Sequence, residues 1–329
     1  MRTHKSKKEL YRYIAIAIAA IVLVTAVLAA IQLWDSGRGV FPSADPDDKY
    51  LEHNGTKYVL KDGIETFLVM GLDKYEGTSS ADSYNNNQHA DFLMLFVFDN
   101  NEKKVAAIHI NRDTMAKMNV LGVAGQKIDT VTKQISLSHT YGNGKEISCR
   151  NTAHSVSGLL LDIKVNYYMS LTMESISIVN DLVGGVELTV RDDFTGIDDT
   201  LIKGQTVRLT GEQALCYVQT RYGLEDSSNS SRMERQKQYL GALYNQSKEL
   251  AENDDGFLMN AVSTISNYIL SDRTADELST LAKKLSEYEF CGVRDIAGQS
   301  VKGEEFMEFY PYEESIKDIV VDLFCQPKN

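Results

Sequence analysis

The sequence predicts an α/β fold of the αβα sandwich type, in which helices cover both faces of a central mixed β-sheet. Two observations support this class. Apolar runs of strand length alternate with segments of helical spacing along the chain. In addition, the chain is 43% hydrophobic and about 280 of its 329 residues follow the N-terminal segment, which is enough for a full-sized core in one domain, as we expect, or in two closely joined ones. One N-terminal transmembrane helix is expected to precede this domain.

The transmembrane segment is predicted from Tyr13 to Leu33. These 21 residues carry no charge, and a helix of that length extends roughly 30 Å, the thickness of a bilayer core. Five basic residues and one acid precede the segment, so the N-terminus is expected in the cytoplasm and the rest of the chain outside the cell. A cleavable signal peptide is the alternative, although its apolar core is usually about 7 to 15 residues long.

This topology describes a single-pass protein of the cell membrane and divides the chain into four parts. Residues 1–12 form a cytoplasmic basic tail, 13–34 a transmembrane signal anchor, 35–49 an extracellular linker and 50–329 an extracellular domain. The linker contains two of the four prolines and is expected to be an extended stalk.

Within the domain, a strand is predicted at Thr66 to Gly71, and a polar surface loop from Asp73 to Asn87 follows it. Phe92 to Phe98 and Lys104 to Ile110 are expected to form a hairpin around a polar turn. The remaining predicted strands are Asn166 to Leu171 and Val186 to Val190. The predicted helices are Cys149 to Leu161, Met173 to Val183, Thr210 to Thr220, Ser231 to Ala251, Gly256 to Leu270, Ala275 to Tyr288 and Glu313 to Phe324.

Composition and missing motifs exclude several functions. The formal net charge of −12 argues against nucleic acid as a partner. Four cysteines show no Cys-x-x-Cys spacing, which argues against a zinc ribbon and leaves one or two disulfides open outside the membrane. The sequence also has no Gly-x-Ser-x-Gly elbow, complete Walker loop or His-Glu-x-x-His pattern, so neither a serine hydrolase, an ATPase nor a zinc protease is indicated.

Charged residues at predicted strand ends indicate a site for a metal-bound pyrophosphate. Asp73, Asp91 and Arg112 each lie where an apolar run begins or ends, and strand ends are where α/β sheets present ligand groups. Two carboxylates suit a hard divalent cation such as Mg²⁺, with Mn²⁺ as the alternative. Arginines, here Arg112, Arg221 and Arg232, suit a diphosphate because their forked donors bind it bidentately.

A predicted helix adds further donors to this site. Arg232, Arg235 and Gln236 are spaced i, i+3 and i+4, so they are expected to face one ligand from the first turns of the helix. Free N–H groups at a helix N-terminus also bind phosphate. The alternative is that these arginines form a solvated face, just as Arg112 and Asp113 have the alternative of a plain ion pair at a strand end.

Six motifs occur in the order found in the LytR-CpsA-Psr family, which the sequence resembles from about Thr66 to Asn245. They are Met70-Gly71-Leu72-Asp73, Ala90-Asp91-Phe92, Asn111-Arg112-Asp113-Thr114, Asn180-Asp181-Leu182-Val183-Gly184-Gly185-Val186, Gly211-Glu212-Gln213-Ala214-Leu215 with Tyr217-Val218-Gln219-Thr220-Arg221, and Arg232-Met233-Glu234-Arg235-Gln236.

The resemblance implies a function as well as a fold. Members of this family are single-pass bacterial membrane proteins whose extracellular α/β domain contains an apolar lipid tunnel. They are Mg²⁺-dependent phosphotransferases that move polyprenyl-pyrophosphate-linked glycopolymers, such as teichoic acids or capsule, to peptidoglycan. By this resemblance, the C6 hydroxyl of N-acetylmuramic acid attacks the sugar-linked phosphorus and polyprenyl phosphate leaves. The implied partners are the lipid-linked glycan, the peptidoglycan acceptor and membrane lipid.

The family motifs also assign roles to particular residues. Asp73 and Asp91 are the implied metal ligands. The resemblance leaves open which group removes the hydroxyl proton, and Asp91 and Asp113 are the two candidates. The implied groups around the diphosphate are Arg112, Arg221, Arg232 and Gln236, of which Arg112 and Arg221 are also expected to stabilise charge during the reaction. Arg235, from its helical spacing, and Gln219, which keeps hydrogen bonding at a family position, are further candidates for binding the substrate.

Three positions depart from the family pattern. Gln219 and His89 stand where arginine is usual, and Asn229 stands where an acidic residue is common. Two other functions therefore stay open. One is hydrolysis of the same lipid pyrophosphate, with water as acceptor. The other is a non-catalytic membrane protein that binds polyprenyl lipids and regulates wall assembly.

Overall fold

The computed structural model describes residues 50–72, 86–254 and 256–328. The predicted anchor from Tyr13 to Leu33, the linker before Tyr50 and most of the predicted loop after Leu72, including Asp73, lie outside these ranges. Within them, no helix combines the length and the apolar character that crossing a membrane requires.

The described residues form fifteen strands and seven α-helices. In chain order, strands β1 to β15 are Leu51–His53, Thr56–Leu60, Ile64–Leu72, Ala90–Asp99, Lys104–Ile110, Met115–Leu121, Lys127–Gln134, Tyr167–Thr172, Glu187–Thr189, Thr206–Arg208, Ile269–Ser271, Glu289–Asp295, Gly298–Lys302, Met307–Pro311 and Cys325–Pro327. Helices α1 to α7 are Glu146–Leu159, Glu174–Leu182, Gly211–Gln219, Asn229–Asn253, Phe257–Ile265, Ala275–Glu287 and Glu313–Phe324. Short 3-10 helices span Ile135–Thr140 and Ser266–Tyr268.

Six of these strands form the central sheet, in the order β11, β8, β3, β4, β5 and β12. Strand β4 runs antiparallel to both of its neighbours, β3 and β5. In contrast, β8 runs parallel to β3, and β12 runs parallel to β5. The sheet is therefore mixed, which confirms the prediction.

Successive side chains of the sheet point into different cores, because strand residues alternate between faces. On one face, Leu68 and Leu95 pack in a core that α1 and α7 cover. On the other face, Phe67 and Phe98 pack in a core closed by α5 and α6. A third cluster joins α2, α3 and α4. The described part of the chain thus has helices on both faces of the sheet.

The prediction of one helix from Gly256 to Leu270 is wrong at its C-terminal end. Helix α5 ends at Ile265, and Ile269–Ser271 instead forms the edge strand β11, which pairs antiparallel with β8. Two apolar residues after a helix continue its pattern equally well as a helix or as a strand. The free edge of β8, which lies far away in the sequence, makes these residues form a strand.

Two hairpins near the predicted site were not predicted. Strand β7 is mostly exposed and polar, and β13 is largely exposed, so one strand of each hairpin lacks the apolar alternation of a half-buried sheet. Both hairpins contact the turn at Asp113 and Thr114. Strand β6 begins directly after Thr114, and the Phe309 N–H of β14 donates to the Asp113 carbonyl at 2.9 Å.

Candidate active site

One edge of the central sheet brings an aspartate and an arginine together. Leu93 of β4 pairs with Ile110 of β5, so Asp91 near the start of β4 lies beside Arg112 just after β5. Arg112 Nη1 is 2.5 Å from Asp91 Oδ1, and Arg112 Nε is 3.6 Å from Asp113 Oδ1. All three side chains are largely buried, so solvent ions screen these charges only weakly.

A tight turn after β5 fixes the second carboxylate, Asp113. The Thr114 N–H donates to the Asn111 carbonyl at 3.0 Å, and the Asp113 N–H donates to Asn111 Oδ1 at 2.9 Å. The amide of Gln134, from the end of β7, donates to Asp113 Oδ1 at 3.0 Å. Burial raises the pKa of the Asp113 carboxyl, although three nearby arginines oppose the shift. A carboxylate with a raised pKa accepts a proton more readily than an ordinary one.

Helix α4 places Arg232 next to these groups. Its guanidinium donates to Asn229 Oδ1, and Asn229 Nδ2 donates in turn to Asn111 Oδ1 at 2.8 Å. Burial lowers the pKa of Arg232, and the nearby Asp91 carboxylate counteracts this effect. Because an arginine nevertheless stays charged, a buried guanidinium at this position favours an anionic partner.

Arg221 approaches the same groups from the segment between α3 and α4. Its Nε donates to the Ser227 carbonyl at 3.1 Å, and the side chain remains partly exposed. Its positive charge acts on both Asp113 and Arg232. We call this set the arginine cluster; it comprises Asp91, Arg112, Asp113, Arg221 and Arg232. With three cations and two carboxylates, it has an excess of one positive charge.

Arg235 lies outside the arginine cluster, although it shares a helix with Arg232. Its side chain is 1% exposed, and Nε donates to the Tyr217 carbonyl at 2.9 Å. The other two nitrogens donate to the Asp192 carboxylate and the Thr220 carbonyl. The donors that were expected to face a ligand are thus engaged within the protein, where they hold α4 against the end of α3.

The other predicted site residues have different surroundings. Gln236 is buried and donates to the Val218 carbonyl at 3.2 Å, whereas Gln219 is exposed at the end of α3. His89 lies near the cluster, with Nδ1 3.4 Å from Arg112 Nη2. Asp73, the predicted second metal ligand, lies outside the described residues.

Two apolar cavities lie beside the central sheet, the first of them close to the arginine cluster. The first has a volume of about 220 Å³, and Phe92, Val218 and Gln236 contribute to its wall. Phe92 directly follows Asp91 and Gln236 lies one helical turn after Arg232, so this cavity is close to the cluster, although none of the five cluster side chains lines it. The second cavity has a volume of about 280 Å³ and continues the first between the sheet and helices α2, α4, α5 and α6. Both cavities are lined by Val179, Leu240 and Leu243.

The donor chemistry of the cluster fits a hard divalent cation. Asp91 and Asp113 both lie within 4 Å of the Arg112 guanidinium. Across the described ranges, no group of three or more His, Cys, Asp or Glu side chains is placed to hold a metal ion. Mg²⁺ does not require such a cage, since it is usually bound by one or two carboxylates together with substrate phosphates.

Three residues of the site were not predicted to have a role in it. Asn111 belongs to the Asn-Arg-Asp-Thr string, which was the one available signal for it. Asn229 was noted only as a missing negative charge, and its hydrogen bonds to Asn111 and Arg232 depend on the tertiary structure. Gln134 is 21 residues from Asp113 and has no sequence signal that connects the two.

The chain is similar to known proteins over most of its length. The polyisoprenyl-teichoic acid–peptidoglycan teichoic acid transferase TagU of Enterococcus faecalis is 24% identical over 279 residues, covering 84% of this chain and 82% of the relative. The TagU of Bacillus licheniformis is 22% identical over 98% of both chains.

Solved structures show the same fold. The structure described as TagT bound to LI-WTA has a TM-score of 0.60 at 19% identity, covering 80% of this chain and 90% of that one. B. subtilis TagV has a TM-score of 0.58 at 20% identity, covering 80% and 97%. A family model, that of the LytR_cpsA_psr family, matches residues 42–318. The chain therefore belongs to the LytR_cpsA_psr family.

Proposed function

We propose that this protein transfers a polyprenyl-pyrophosphate-linked glycopolymer, such as a teichoic acid, to peptidoglycan. One observation carries the proposal: a largely buried cluster with excess positive charge lies close to an apolar cavity. Such a site suits an amphipathic donor, with its diphosphate on the arginines and its hydrocarbon chain in the cavity. The names of the TagU relatives support a teichoic acid transferase.

The arginines would act mainly by positioning and charge neutralisation. A hydroxyl of the acceptor attacks the phosphorus that carries the sugar, and the bond from this phosphorus to the bridging oxygen of polyprenyl phosphate breaks. Arg112, Arg221 and Arg232 bind the diphosphate and stabilise the charge on the leaving group. Because these groups are already held in place, they do not have to reorganise during the reaction.

Asp113 and Asp91 would have different tasks in this scheme. Asp113 is buried and has a raised pKa, so it suits the removal of the proton from the attacking hydroxyl. Asp91, together with Asp73, would hold Mg²⁺, and Asp113 lies close enough to Arg112 to share the same ligand. When bound, Mg²⁺ would neutralise charge on the phosphate oxygens.

A transfer assay tests the proposal. The full chain, purified in detergent, is incubated with a polyprenyl-pyrophosphate donor whose sugar is radiolabelled, in the presence or absence of peptidoglycan. We expect label to become wall-bound and polyprenyl phosphate to appear in equal amount. Release of labelled sugar phosphate at the same rate without peptidoglycan would identify a hydrolase instead. Binding of the donor without any product would identify a non-catalytic lipid-binding protein.

The cavity can be tested separately from the cluster. Leu243 lines both cavities, so Leu243→Trp should obstruct a long polyprenyl chain. We expect this variant to bind a long-chain donor at least tenfold more weakly but a short isoprenyl pyrophosphate like the parent. Equal losses for both ligands would place the hydrocarbon chain elsewhere. A thermal melt of the variant checks for overpacking, which typically costs about 1–3 kcal/mol.

The membrane position of the domain is also part of this proposal. If Tyr13 to Leu33 is a retained anchor, the mature protein keeps its N-terminus and resists carbonate extraction, and protease added outside intact cells digests the domain. A mature N-terminus after Leu33 would contradict the anchor and indicate a secreted form.

A further inference from the structure

The β13–β14 hairpin carries an exposed apolar surface that the proposed donor site does not use. Phe306, Tyr310 and Tyr312 are 59%, 46% and 55% exposed, and Val301 is 39% exposed. These four residues, which we call the hairpin surface, lie within twelve consecutive positions. Clusters of exposed large apolar side chains commonly mark binding surfaces.

The register of the hairpin places several of these side chains on one face. Val301 pairs with Glu308, and Gln299 pairs with Tyr310. Because side chains alternate along a strand, Val301, Glu308 and Tyr310 project away from the buried face that Phe309 occupies. The Tyr310 hydroxyl donates to Glu308 Oε2 at 2.6 Å, so the ring and the carboxylate form one unit.

The backbone of the hairpin adjoins the arginine cluster. The Gln134 amide nitrogen donates to Asp113 Oδ1 at 3.0 Å and also to the Met307 carbonyl at 2.7 Å. One side-chain nitrogen thus joins the Asp113 carboxylate to the residue next to Phe306. In addition, the backbone of β14 directly contacts the turn at Asp113, because the Phe309 N–H donates to the Asp113 carbonyl.

The charge of the hairpin is opposite to that of the arginine cluster. Residues 298–312 contain three glutamates and one lysine, whereas the cluster has excess positive charge. An acidic surface repels both anionic lipid headgroups and a phosphate-rich donor polymer. Aromatic rings beside carboxylate acceptors instead suit a sugar, because its C–H faces pack on the rings and its hydroxyls donate to the carboxylates.

We propose that the hairpin surface binds the glycan strand of the acceptor. The inference rests on the proposed transferase function and adds to it the site of the second substrate. The anionic donor occupies the arginine cluster, the acceptor glycan occupies the acidic aromatic hairpin, and the two substrates meet at Asp113. The acidic charge of the hairpin disfavours the anionic donor there.

A binding experiment tests this surface without requiring turnover. The full chain in detergent is sedimented with purified peptidoglycan from which teichoic acid has been removed. We expect the double variant Tyr310→Ala/Tyr312→Ala to co-sediment at least fivefold less than the parent. The double variant Tyr310→Phe/Tyr312→Phe should retain most of the binding, because the rings remain. Ile202→Ala, at an exposed apolar position in another loop, is the matched control and should bind like the parent.

Kinetics then separate this inference from the proposed function. At saturating donor, the alanine double variant should show a severalfold higher KM for peptidoglycan, with unchanged kcat and unchanged KM for the donor. If the parent binds peptidoglycan through the tyrosines but transfers nothing, the surface is supported and the proposed function fails. If the parent transfers glycopolymer and the alanine variant matches it in sedimentation and in KM, the surface assignment is wrong.

Two other occupants would also overturn the inference. Loss of binding to anionic vesicles in the alanine double variant, with peptidoglycan binding unchanged, would show that the hairpin contacts membrane. Loss of self-association in sedimentation velocity, again with peptidoglycan binding unchanged, would show that a second copy of the chain covers it. Thermal melts within 2 °C of the parent confirm that the variants are folded.

Discussion

Arg232 and Asn229 share a buried hydrogen bond in which the guanidinium donates to the side-chain oxygen of the asparagine. The same asparagine uses its Nδ2 to donate to Asn111 Oδ1. A neutral amide serves both partners, because it can accept from the arginine and donate to Asn111 at once. It also leaves the positive charge of Arg232 available for a ligand.

The first prediction concerns Asn229→Asp. A carboxylate cannot donate to Asn111, and its charge would balance the arginine cluster at three cations and three anions. We expect diphosphate affinity to fall about tenfold, which is 1.4 kcal/mol, and the free energy of unfolding to fall by about 1–3 kcal/mol. Pyrophosphate titration and urea unfolding measure the two effects. Asn253→Asp adds the same charge at the far, exposed end of α4 and should leave the pyrophosphate affinity unchanged.

Asp91→Asn tests the proposed metal ligand. The substitution keeps the shape of the side chain but removes its charge, so we expect metal-dependent turnover to be lost at every Mg²⁺ concentration. Circular dichroism should show a nearly unchanged fold. Asp99→Asn removes a carboxylate from the opposite end of β4 and serves as the control. Parent-like turnover of Asp91→Asn at saturating Mg²⁺ would contradict the metal role.

The arginine cluster makes a prediction about ligand selectivity. Arg112→Ala, Arg221→Ala and Arg232→Ala should each weaken binding of a polyprenyl pyrophosphate about tenfold to a hundredfold, since charge-assisted hydrogen bonds contribute about 1.5–3 kcal/mol. Binding of uncharged polyprenol should change little. Lysine should restore little of the loss, because it lacks the planar fork. Arg208→Ala removes a surface arginine paired with Glu187 and is the matched control.

Gln219→Arg tests the same site in the opposite direction. Gln219 is exposed at the end of α3, two residues before Arg221. An added arginine should tighten pyrophosphate binding if this position faces the ligand. Unchanged affinity would show that Gln219 faces solvent away from the diphosphate.

Arg235→Ala should act on stability. The guanidinium is buried and bonded to Asp192 and to two carbonyls at the end of α3. Removing one partner of a buried ion pair costs about 3–5 kcal/mol, so we expect a large decrease in the urea midpoint. Measured below its melting temperature, the variant should bind pyrophosphate nearly like the parent. A loss of affinity as large as that of Arg232→Ala, without destabilisation, would assign Arg235 to the ligand site.

Two buried histidines predict how stability depends on pH. Burial lowers the pKa of His109 from 6.5 to about 3 and that of His139 from 6.5 to about 4. Between pH 6.5 and 4, the unfolded chain therefore binds more protons than the folded one. Stability should fall as the pH falls through this window, by about 1.4 kcal/mol per pH unit for each histidine. Urea unfolding at pH 7, 6 and 5 measures how the free energy of unfolding depends on pH. His109→Leu should reduce this slope by the contribution of one histidine. An unchanged slope would contradict a neutral, buried His109.

How much the sequence could reveal differs between the elements. The hairpin at β4 and β5 was predicted nearly to the residue, because two apolar runs on either side of a polar turn are local signals. The capping box of Thr210 and Gln213 likewise defines the start of α3. In contrast, the edge strand β11 forms only because β8 offers it a partner about a hundred residues away in the chain.

For the site, the sequence by itself determined which charged residues occur and in which motifs. These motifs were enough to predict the family and a pyrophosphate site. Only the tertiary structure decided which of them meet. Arg232 and Arg235 lie three residues apart on the same helix, a spacing that predicts a shared face. Arg232 nevertheless lies near Asp91 and Arg112, whereas Arg235 is bonded to Asp192. Spacing along a helix fixes the direction of a side chain, but the partner that it meets belongs to another segment, and the packing of those segments is a property of the whole fold.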